Sequence, residues 1–298
     1  MPTIDIVAPT RRDTRWVVGR EFVHLPPVDP AFAQIRGLRK LLMRHMILPT
    51  NYMQLLQGAL VKVDGQTAAY LYARSRPAAL RIDALATEPE HRRMGFAGRL
   101  LGEARKWAAE RELKWLSAHL TPENEPARAF FAKHGFTPYR PYGWQAGSLA
   151  GLPAPDASVL RLLTPEQVQP TYRRWMLDEL AHGDPKAQGI VEAEYLDAAL
   201  YSRGKHWAIV LDGEEAGYLR LSGLRRSATA FIACAQAAWA DPRLQAGLAA
   251  ALATWPFVPG RLLVDHASGG HHAAASSIME TAGFSAYNRP RYLVFKRL

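Results

Sequence analysis

The segment of residues 92–98 combines residue types that can hold a phosphorylated ligand. It follows an apolar run that ends at about Thr87, and its sequence is Arg92-Arg93-Met94-Gly95-Phe96-Ala97-Gly98. The pattern predicts a strand, a turn and a helix, and the first amides of a helix have no partner within it and carry partial positive charge. Glycine lets the backbone approach a bulky anion, and the arginines add full charge. The segment therefore predicts a diphosphate-binding turn, with ordinary helix capping in a basic protein as the alternative.

A second pattern follows after one predicted helix and one predicted strand. Its sequence is Asn124-Glu125-Pro126-Ala127-Arg128-Ala129-Phe130-Phe131-Ala132-Lys133-His134-Gly135-Phe136. The two patterns, in this order and spacing, resemble the GNAT superfamily of N-acetyltransferases. The first is similar to the family's R-x-x-G-x-A loop, which binds the pyrophosphate of acyl-CoA. The second is similar to its N-x-x-A-x-x-(aromatic or Leu)-Tyr-x-x-x-G-F motif, except that Phe131 stands in the place of the tyrosine.

The resemblance implies direct transfer of an acyl group from a CoA thioester to an amine. Acetyl-CoA is the implied cosubstrate, and no metal is implied. In the family, amides of the strand before the loop bind the thioester carbonyl, the loop binds the diphosphate, and the asparagine bonds the pantetheine arm. Asn124 has helix capping as its alternative role. The implied CoA-binding residues are Leu85, Ala86, Thr87, Arg92, Arg93, Met94, Gly95, Phe96, Ala97, Gly98, Asn124 and Phe131.

Proton transfer needs further groups, and here the sequence leaves alternatives open. Asp83 lies four residues before Thr87, which in a regular strand puts it on the same face as Thr87 and Leu85. Asp83 and His119 are candidate bases, with a surface ion pair and a backbone hydrogen bond as their respective alternatives. The family's tyrosine protonates the leaving thiolate, and phenylalanine has no proton to give. The candidate replacements nearest in sequence are His119, Tyr139 and Tyr142.

The chain contains an internal repeat with a constant offset. Asp64-Gly65 and Asp212-Gly213 each separate two apolar runs, which is typical of a tight hairpin, and they lie 148 positions apart. Gly135-Phe136 and Gly283-Phe284 are separated by the same 148 positions. Equal offsets at both ends of a long segment indicate two copies of one unit. We therefore predict an α/β protein made of two tandem GNAT-like domains with mixed sheets.

The second copy has lost the features of the phosphate loop. The offset carries Arg92, Gly95 and Ala97 onto Ala240, Arg243 and Gln245, and Asn124 onto His272. Asp241-Pro242 occupies the turn, where proline removes an amide and aspartate adds a negative charge. A linker rich in Gly, Ala and Pro spans residues 146–157. These observations predict a catalytic, CoA-binding domain at 1–148 and a degenerate domain at 156–298.

Both halves show the same predicted order of elements. The first half begins with a strand and helices within residues 1–57, one of them at 32–46, and ends with a strand pair beyond Phe136. Between these lie predicted strands 59–63, 67–73, 80–87 and 114–120 and helices 97–111 and 125–134. The second half has predicted strands 159–163, 207–211, 216–221, 229–233, 262–266 and 291–296 and helices 243–255 and 272–282.

Composition limits the class of protein. The hydrophobic fraction of 48% and the charged fraction of 21% are typical of a globular chain, and no apolar run has the length of a membrane span. The single cysteine, Cys234, excludes an intramolecular disulfide and favours a reducing, cytoplasmic location. His266, His271 and His272 lack the spacing and the fourth ligand of a zinc site. We expect a monomer or a homodimer.

The net charge of +10 leaves room for competing functions. CoA is polyanionic and accounts for part of the excess, and most of the basic residues are spread rather than arranged in a nucleic-acid groove. The leading prediction is acetyl transfer to a primary amine of a small molecule. A CoA-binding sensor or scaffold is the first alternative, favoured by Phe131. A protein- or RNA-modifying acetyltransferase is the second, favoured by the basic residues Arg36, Arg39, Lys40 and Arg44.

Overall fold

The computed structural model of the chain describes residues 2–24, 37–76, 78–121, 123–139, 142–146, 151–181, 204–224, 227–255, 261–266, 272–286 and 292–298. The chain divides into two compact units. The first unit comprises Met1–Tyr139 together with Pro290–Leu298, and the second comprises Arg140–Arg289. Each unit contains one seven-stranded sheet.

The predicted elements that fall on described residues occur in the predicted order, whereas the helices Pro165–Ala181 and Gln236–Trp239 were not predicted. Residues 32–36 of the predicted helix 32–46 lie outside the described residues. The strands are β1 (Ile4–Val7), β2 (Gln57–Val63), β3 (Gln66–Ser75), β4 (Ala79–Thr87), β5 (Trp115–Leu120), β6 (Thr137–Tyr139), β7 (Tyr142–Ala146), β8 (Leu160–Leu162), β9 (Lys205–Leu211), β10 (Glu214–Leu224), β11 (Ser227–Cys234), β12 (Arg261–His266), β13 (Ser285–Ala286) and β14 (Tyr292–Arg297). The helices are α1 (Arg11–His24), α2 (Gly37–Leu42), α3 (Leu48–Leu55), α4 (Phe96–Glu110), α5 (Glu125–Lys133), α6 (Pro165–Ala181), α7 (Gln236–Trp239), α8 (Arg243–Ala253) and α9 (His272–Thr281). A π-helical segment, Met43–Ile47, joins α2 to α3.

The two sheets have the same topology once one exchange is recognised. The strand order is β1-β2-β3-β4-β5-β14-β6 in the first sheet and β8-β9-β10-β11-β12-β7-β13 in the second. Strand β7, which the sequence analysis assigned to the first half, therefore lies in the second sheet. Strand β14, assigned to the second half, lies in the first. We keep 1–148 and 156–298 as the proposed repeat boundaries, and the two units exchange one strand across them.

Local structure repeats at the predicted offset. Asp64 and Gly65 have φ angles of 49° and 79°, and Asp212 and Gly213 have 54° and 84°. Positive φ at both central residues is the requirement of a tight hairpin turn, which explains the two Asp-Gly pairs. The ends of α5 and α9 also match, because Phe136 N donates to Phe131 O at 3.0 Å and Phe284 N donates to Met279 O at 2.9 Å. These paired features support a common origin of the two units.

Each sheet packs against its own helices. In the first unit one core lies between the sheet and the helices α4 and α5, and it includes Leu71, Leu100 and Phe131. A smaller core on the other face contains residues of α1 and α3 packed on β3 and β4. The second unit has a large core that includes the buried side chain of Cys234. Among the described helices, none combines the length and apolar composition that crossing a membrane requires.

The exchanged strand β14 is an internal strand of the first sheet. It pairs with β5 over Tyr292–Arg297 and with β6 over Leu293–Phe295, antiparallel in both cases. Val294 and Phe295 are buried, and Lys296 Nζ donates to His134 O at 2.9 Å. The first unit therefore needs the last residues of the chain to complete its sheet.

This exchange predicts how fragments of the chain behave. We expect residues 1–148 alone to fail to fold, because β5 and β6 then lose the strand between them. A fragment of residues 1–139 joined by a short Gly-rich turn to 290–298 should fold, since Tyr139 lies opposite Leu293 in an antiparallel pair. Thermal unfolding and amide NMR dispersion measure both outcomes. Cooperative unfolding of the 1–148 fragment would contradict the exchange.

Candidate active site

The first sheet opens into a fork between β4 and β5. These parallel strands pair only from Ala79–Ile82 to Trp115–Ala118. Beyond that point β4 continues to Thr87 while it remains paired with β3 on its other edge. Backbone groups of β4 that face the fork therefore have no strand partner among the described residues, and Leu85, Ala86 and Thr87 are partly exposed. The arrangement supplies amides for a polar group placed between the strands.

A β-bulge lies where the fork begins. Tyr72 is opposite Ala84 and Ala73 is opposite Ile82, so Asp83 has no counterpart on β3. Ile82 and Leu85 pack on the α4 side of the sheet, whereas Ala84 packs on the α1 side. The expected shared face of Asp83 and Leu85 is therefore wrong, because the bulge interrupts the regular alternation that the expectation assumed.

The Asp83 carboxylate is held by two cations. It forms ion pairs with Arg74 and with Arg81, the latter at 3.2 Å. Arg81 alternates with Ile82 along the strand, which places this ion-pair group on the face opposite α4. Both of these partners are guanidinium groups, which form charge-assisted hydrogen bonds with a carboxylate. The ion-pair role weighed for Asp83 is thus present in the structure.

The predicted phosphate loop leads from β4 into α4. Arg93 and Gly95 have φ angles of 63° and 80°, and Arg99 N donates to Gly95 O at 3.1 Å as the helix begins. No side chain caps the helix at Gly95. Arg92, Arg93 and Met94 are exposed, and residues 92–98 include no acidic side chain. The amides from Arg93 to Gly98, at the start of the helix, and the two arginines fit a diphosphate.

Both ends of this loop are anchored. Glu88, which is 3% exposed, pairs with Arg20 of α1 at 3.1 Å, and its N–H donates to Ala68 O at 2.9 Å. At the other end Phe96 is buried, and the Arg99 guanidinium lies 5.9 Å from its ring centre. The loop backbone is therefore held in place although its arginine side chains face solvent.

Helix α5 carries the second motif. Asn124 is its N-cap, and Asn124 Oδ1 accepts a hydrogen bond from Ala127 N at 3.2 Å. The capping role therefore exists, and it leaves the side-chain amide N–H groups of Asn124 available to another acceptor. Phe131 is buried, with its ring centre 5.4 Å from that of Phe130 and 4.9 Å from that of Phe136. It contributes packing but no proton.

The β5 arm of the fork carries His119 and ends next to Thr121. His119 is exposed, and it lies one residue past the last pairing with β4, opposite Leu293 of β14. Thr121 Oγ1 is buried and has no hydrogen-bond partner among the described residues. Tyr139 ends β6, which belongs to the first sheet. Tyr142 begins β7, which belongs to the second sheet and not to the sheet that contains the fork.

Several predicted groups lie outside the described residues. They include the side chains of Tyr139, Tyr142, Arg39, Lys40, His266 and His272, and the whole of Arg36 and His271. Within the part of the chain that is described, no three His, Cys, Asp or Glu side chains form a metal-binding group.

The sequence analysis missed a buried acid, Glu21 of α1. The Tyr52 hydroxyl donates to both of its carboxylate oxygens, at 2.7 and 2.6 Å. Burial raises the pKa of Glu21 to about 7, against the lowering effect of the Tyr52 hydrogen bond, and the charge of Asp83 raises it further. A sequence signal existed, because Glu21 falls on the helical stripe of Thr14, Val17 and Val18, all of which are buried.

Tyrosines surround this acid on the α1 face of the sheet. Tyr70 and Tyr72 project from β3, and the Tyr72 hydroxyl is 2.9 Å from Thr14 Oγ1. Burial raises the pKa of both tyrosines, that of Tyr72 to about 12, so both are neutral at physiological pH. Tyr70 lies opposite Ala86 and Tyr72 opposite Ala84, both on the forked part of β4. Glu21, Tyr52, Tyr70 and Tyr72, which we call the Glu21 cluster, therefore lie on the α1 side of the strand pair β3–β4 that borders the fork.

The second unit differs from the first at both features of this site, which are the turn before the helix and the fork between the parallel strands. Arg243, at the position equivalent to Gly95, bonds both Asp212 oxygens at 2.9 and 3.0 Å and Asp241 at 2.7 Å. Hydrogen bonds from Arg243 lower the pKa of both carboxyl groups, so both are ionised at neutral pH. Asp241 Oδ1 also accepts the Arg243 N–H at the start of α8. An aspartate thus occupies the place that a phosphate needs.

The parallel strands of the second unit also stay together. β12 pairs with β11 along its entire length, from Arg261 opposite Ser227 to His266 opposite Ile232. In the first unit the equivalent pair separates before β5 ends. Over the described length of β12 there is therefore no fork to admit a ligand.

Known proteins share this architecture. The sequence profile described as the acetyltransferase (GNAT) family matches residues 30–136. A tandem GNAT protein from the clavulanic acid biosynthesis pathway is 19% identical, with 99% of this chain and 98% of that chain covered and a TM-score of 0.50. A GCN5-related N-acetyltransferase from Sphaerobacter thermophilus is 15% identical, with 99% and 95% covered and a TM-score of 0.57.

A third structure belongs to a conserved protein from Enterococcus faecalis V583 described as a probable N-acyltransferase. It is 13% identical, with 100% of this chain and 73% of that chain covered and a TM-score of 0.53. The search of curated proteins finds no match. Residues 30–136 therefore match the acetyltransferase (GNAT) family, and the chain as a whole has the tandem two-domain GNAT fold.

Proposed function

We propose that the first unit is an acyl-CoA-dependent N-acyltransferase that transfers acetyl from acetyl-CoA to a primary amine of a small molecule. The observation that carries the proposal is the fork between β4 and β5, which adjoins a loop of free amides and exposed arginines. The family profile covers this fork and this loop. The second unit has neither feature over its described residues, so we propose that it does not bind CoA.

Different segments of the first unit bind different parts of acetyl-CoA in this proposal. In this proposal the diphosphate rests on the amides and arginines of residues 92–98, and the pantetheine arm lies in the fork. The side-chain amide of Asn124 and the buried hydroxyl of Thr121 are polar groups at the end of the β5 arm. Amides of Leu85–Thr87 bind the thioester carbonyl, where negative charge develops during attack.

The leaving thiolate needs less assistance than most leaving groups. Phe131 cannot protonate it, but a thiol has an ordinary pKa of about 8.5, so a thiolate can leave without an acid and take up its proton afterwards. We propose His119 as the proton donor, because it is exposed and lies on the β5 arm beyond the point of separation. Direct transfer in a ternary complex requires no covalent enzyme intermediate.

A CoA-binding sensor is the second candidate function. Phe131 in the tyrosine position and the two arginines on Asp83 favour it, because both weaken the acid–base machinery that sequence alone predicts. A sensor would bind acetyl-CoA without consuming it in the presence of amines. Binding and turnover must therefore be measured separately.

Titration calorimetry with acetyl-CoA tests the assignment of the site. We expect one binding site per chain, and we expect an Arg92→Glu, Gly95→Pro double variant to bind on the order of 100-fold more weakly. The reason is the loss of charge-assisted hydrogen bonds, which contribute about 1.5–3 kcal/mol each. The matched control is Arg243→Glu, a charge reversal at the equivalent position of the second unit, which should leave binding unchanged. Two sites per chain, or loss of binding in the control, would mean that the second unit binds CoA.

A pair of Asn124 variants separates capping from ligand binding. Asn124→Asp keeps the acceptor that caps α5 but removes the amide donor, so we expect unchanged stability and weaker acetyl-CoA binding. Asn124→Ala removes both, and it should also cost about 1 kcal/mol in the free energy of unfolding. Denaturant unfolding and calorimetry measure the two quantities. Wild-type affinity in Asn124→Asp would restrict Asn124 to its capping role.

Turnover is tested by thiol release from acetyl-CoA with linear alkylamines, ethylamine to hexylamine, as probes. We expect release above that of the Arg92→Glu, Gly95→Pro variant, together with the corresponding N-alkylacetamide. Tight acetyl-CoA binding without amine-dependent release would favour the sensor. A steep fall of RNA affinity with salt would favour a nucleic-acid partner instead.

A further inference from the structure

The acidic side chains near the fork differ in their partners. Asp83 is paired with two arginines, and Glu88 is paired with Arg20. Glu21, which is 3% exposed, is bonded by the neutral hydroxyl of Tyr52 and by no lysine or arginine among the described residues. A buried carboxylate without a cation binds a proton more readily than one held by guanidinium groups.

The position of Glu21 relative to the fork follows from the strand register. The cluster that contains Glu21 includes Tyr70, which lies opposite Ala86, and that residue belongs to the forked segment of β4. Ala84 and Ala86 pack on this same α1 face, whereas the phosphate loop leads into α4 on the other face. A thioester in the fork would thus have the phosphate loop on one side of the sheet and Glu21 on the other.

We propose that Glu21 is the group that accepts the proton of the acceptor ammonium, and that the acceptor is a cationic primary amine that approaches the fork from the α1 face. This inference rests on the proposed acyl transfer. Alanine at positions 84 and 86 leaves little side-chain bulk between this face and the fork. Trp16, Tyr52 and Tyr70 supply aromatic surface there, which suits an ammonium group.

The step balances in protons and bonds. The Glu21 carboxylate takes one proton from R–NH₃⁺ and becomes neutral, and the free amine attacks the thioester carbonyl. A C–N bond forms and the C–S bond breaks, and the second nitrogen proton passes to the leaving sulfur by way of His119. Glu21 then returns its proton to solvent. No oxidant, reductant or further reactant is needed.

Glu21 suits this role better than the acids predicted from sequence. A base with a pKa near the working pH combines a large ionised fraction with useful basicity. Burial sets the pKa of Glu21 at about 7. The Asp83 carboxylate is instead occupied by ion pairs with Arg74 and Arg81.

Neighbouring groups tune this acid in opposite directions. The Tyr52 hydrogen bond lowers the pKa of Glu21, and the charge of Asp83 raises it. The titratable and charged groups that face Glu21 or its helix are Tyr52 from α3, Tyr70 and Tyr72 from β3, Asp83 with Arg74 and Arg81 from β3 and β4, Glu88 paired with Arg20, Asp13 paired with Lys62, and Arg44 near Gly19.

The test is the pH profile of kcat/KM with acetyl-CoA and hexylamine, between about pH 5.5 and 9. We expect the kcat/KM of the wild type to fall as the pH drops below about 7, because Glu21 becomes protonated; this part of the profile is called the acid limb. Glu21→Gln, which keeps an acceptor for Tyr52, should lose about 10²–10⁴-fold at neutral pH. The kcat/KM of this variant should then rise with pH until the pH reaches the pKa of the amine, because only the free amine reacts.

Three further variants separate catalysis from packing. Tyr52→Phe should move the acid limb to higher pH, and Asp83→Asn should move it to lower pH, because the two residues have opposite effects on Glu21. Tyr72→Phe makes the same chemical change as Tyr52→Phe, but its hydroxyl bonds Thr14, so the limb should stay in place. A merely structural role for Glu21 would not produce shifts of opposite sign.

Each failure points to a different error. A Glu21→Gln variant with the wild-type limb and rate would overturn the role of Glu21 and leave acyl transfer intact. Loss of activity in Asp83→Asn but not in Glu21→Gln would assign the base to Asp83. A wild type that binds acetyl-CoA but acetylates none of the alkylamines would overturn the transfer proposal, and the role of Glu21 with it.

Melting temperatures provide an independent measurement that needs no substrate. The folded pKa of Glu21, about 7, lies above its ordinary value of 4.5. The stability that this group contributes is therefore fully present below the unfolded pKa and is lost as the pH rises through the folded pKa. We expect the melting temperature of the wild type to fall relative to that of Glu21→Gln as the pH rises from 4.5 to about 7. A constant difference would show that Glu21 is not a buried titrating acid, which would overturn the proposal.

Discussion

The separation of β4 from β5 after Ile82 is the constraint on which the rest of the first unit depends. Parallel strands that stay paired satisfy their own amides, as β11 and β12 do along the whole of β12. Only strands that part leave amides for a ligand. The bulge at Asp83 lies at the point of parting, and it turns the alternation of β4 so that alanines face α1 while Leu85 faces α4. One irregular residue thus opens the sheet and decides which side chains flank the opening.

The open fork is held from its outer edges. On one side β4 keeps its pairing with β3 to Thr87. On the other side β5 is paired with β14, including the residues past the fork, where His119 faces Leu293. Because β14 is the last strand of the chain, the arm that carries His119 is supported by residues far away in sequence. The exchange of β7 and β14 therefore contributes to the site as well as to the fold. It also explains why a cut at the linker would damage the unit that carries the site.

Electrostatics separates the two copies as clearly as backbone pairing does. In the first unit the turn before α4 contains arginines and a glycine, with no carboxylate among residues 92–98. In the second unit Arg243 replaces the glycine and is held by two aspartates, one of which also accepts the helix's first amide. The same kind of pairing occurs in the first unit, where arginines form ion pairs with Asp83 and Glu88. Glu21 is instead bonded by the Tyr52 hydroxyl, and burial is the main reason that its pKa is raised to about 7.

The sequence by itself determined the features that depend on short segments. These are the turn before α4, the Asn124 cap of α5, the Asp-Gly hairpins and the repeat, because turn geometry and helix ends are set by a few neighbouring residues. The helical pattern of α1 places Glu21 on the buried stripe of that helix. Its partner Tyr52 is distant in the chain, so the pKa of Glu21 could not be predicted. The bulge at Asp83 and the two arginines on it depend on the register between β3 and β4, which the alternation of one strand does not reveal. The choice between β7 and β14 was decided by tertiary structure alone, since the two copies offer equivalent strands and only the folded chain determines which sheet each one joins.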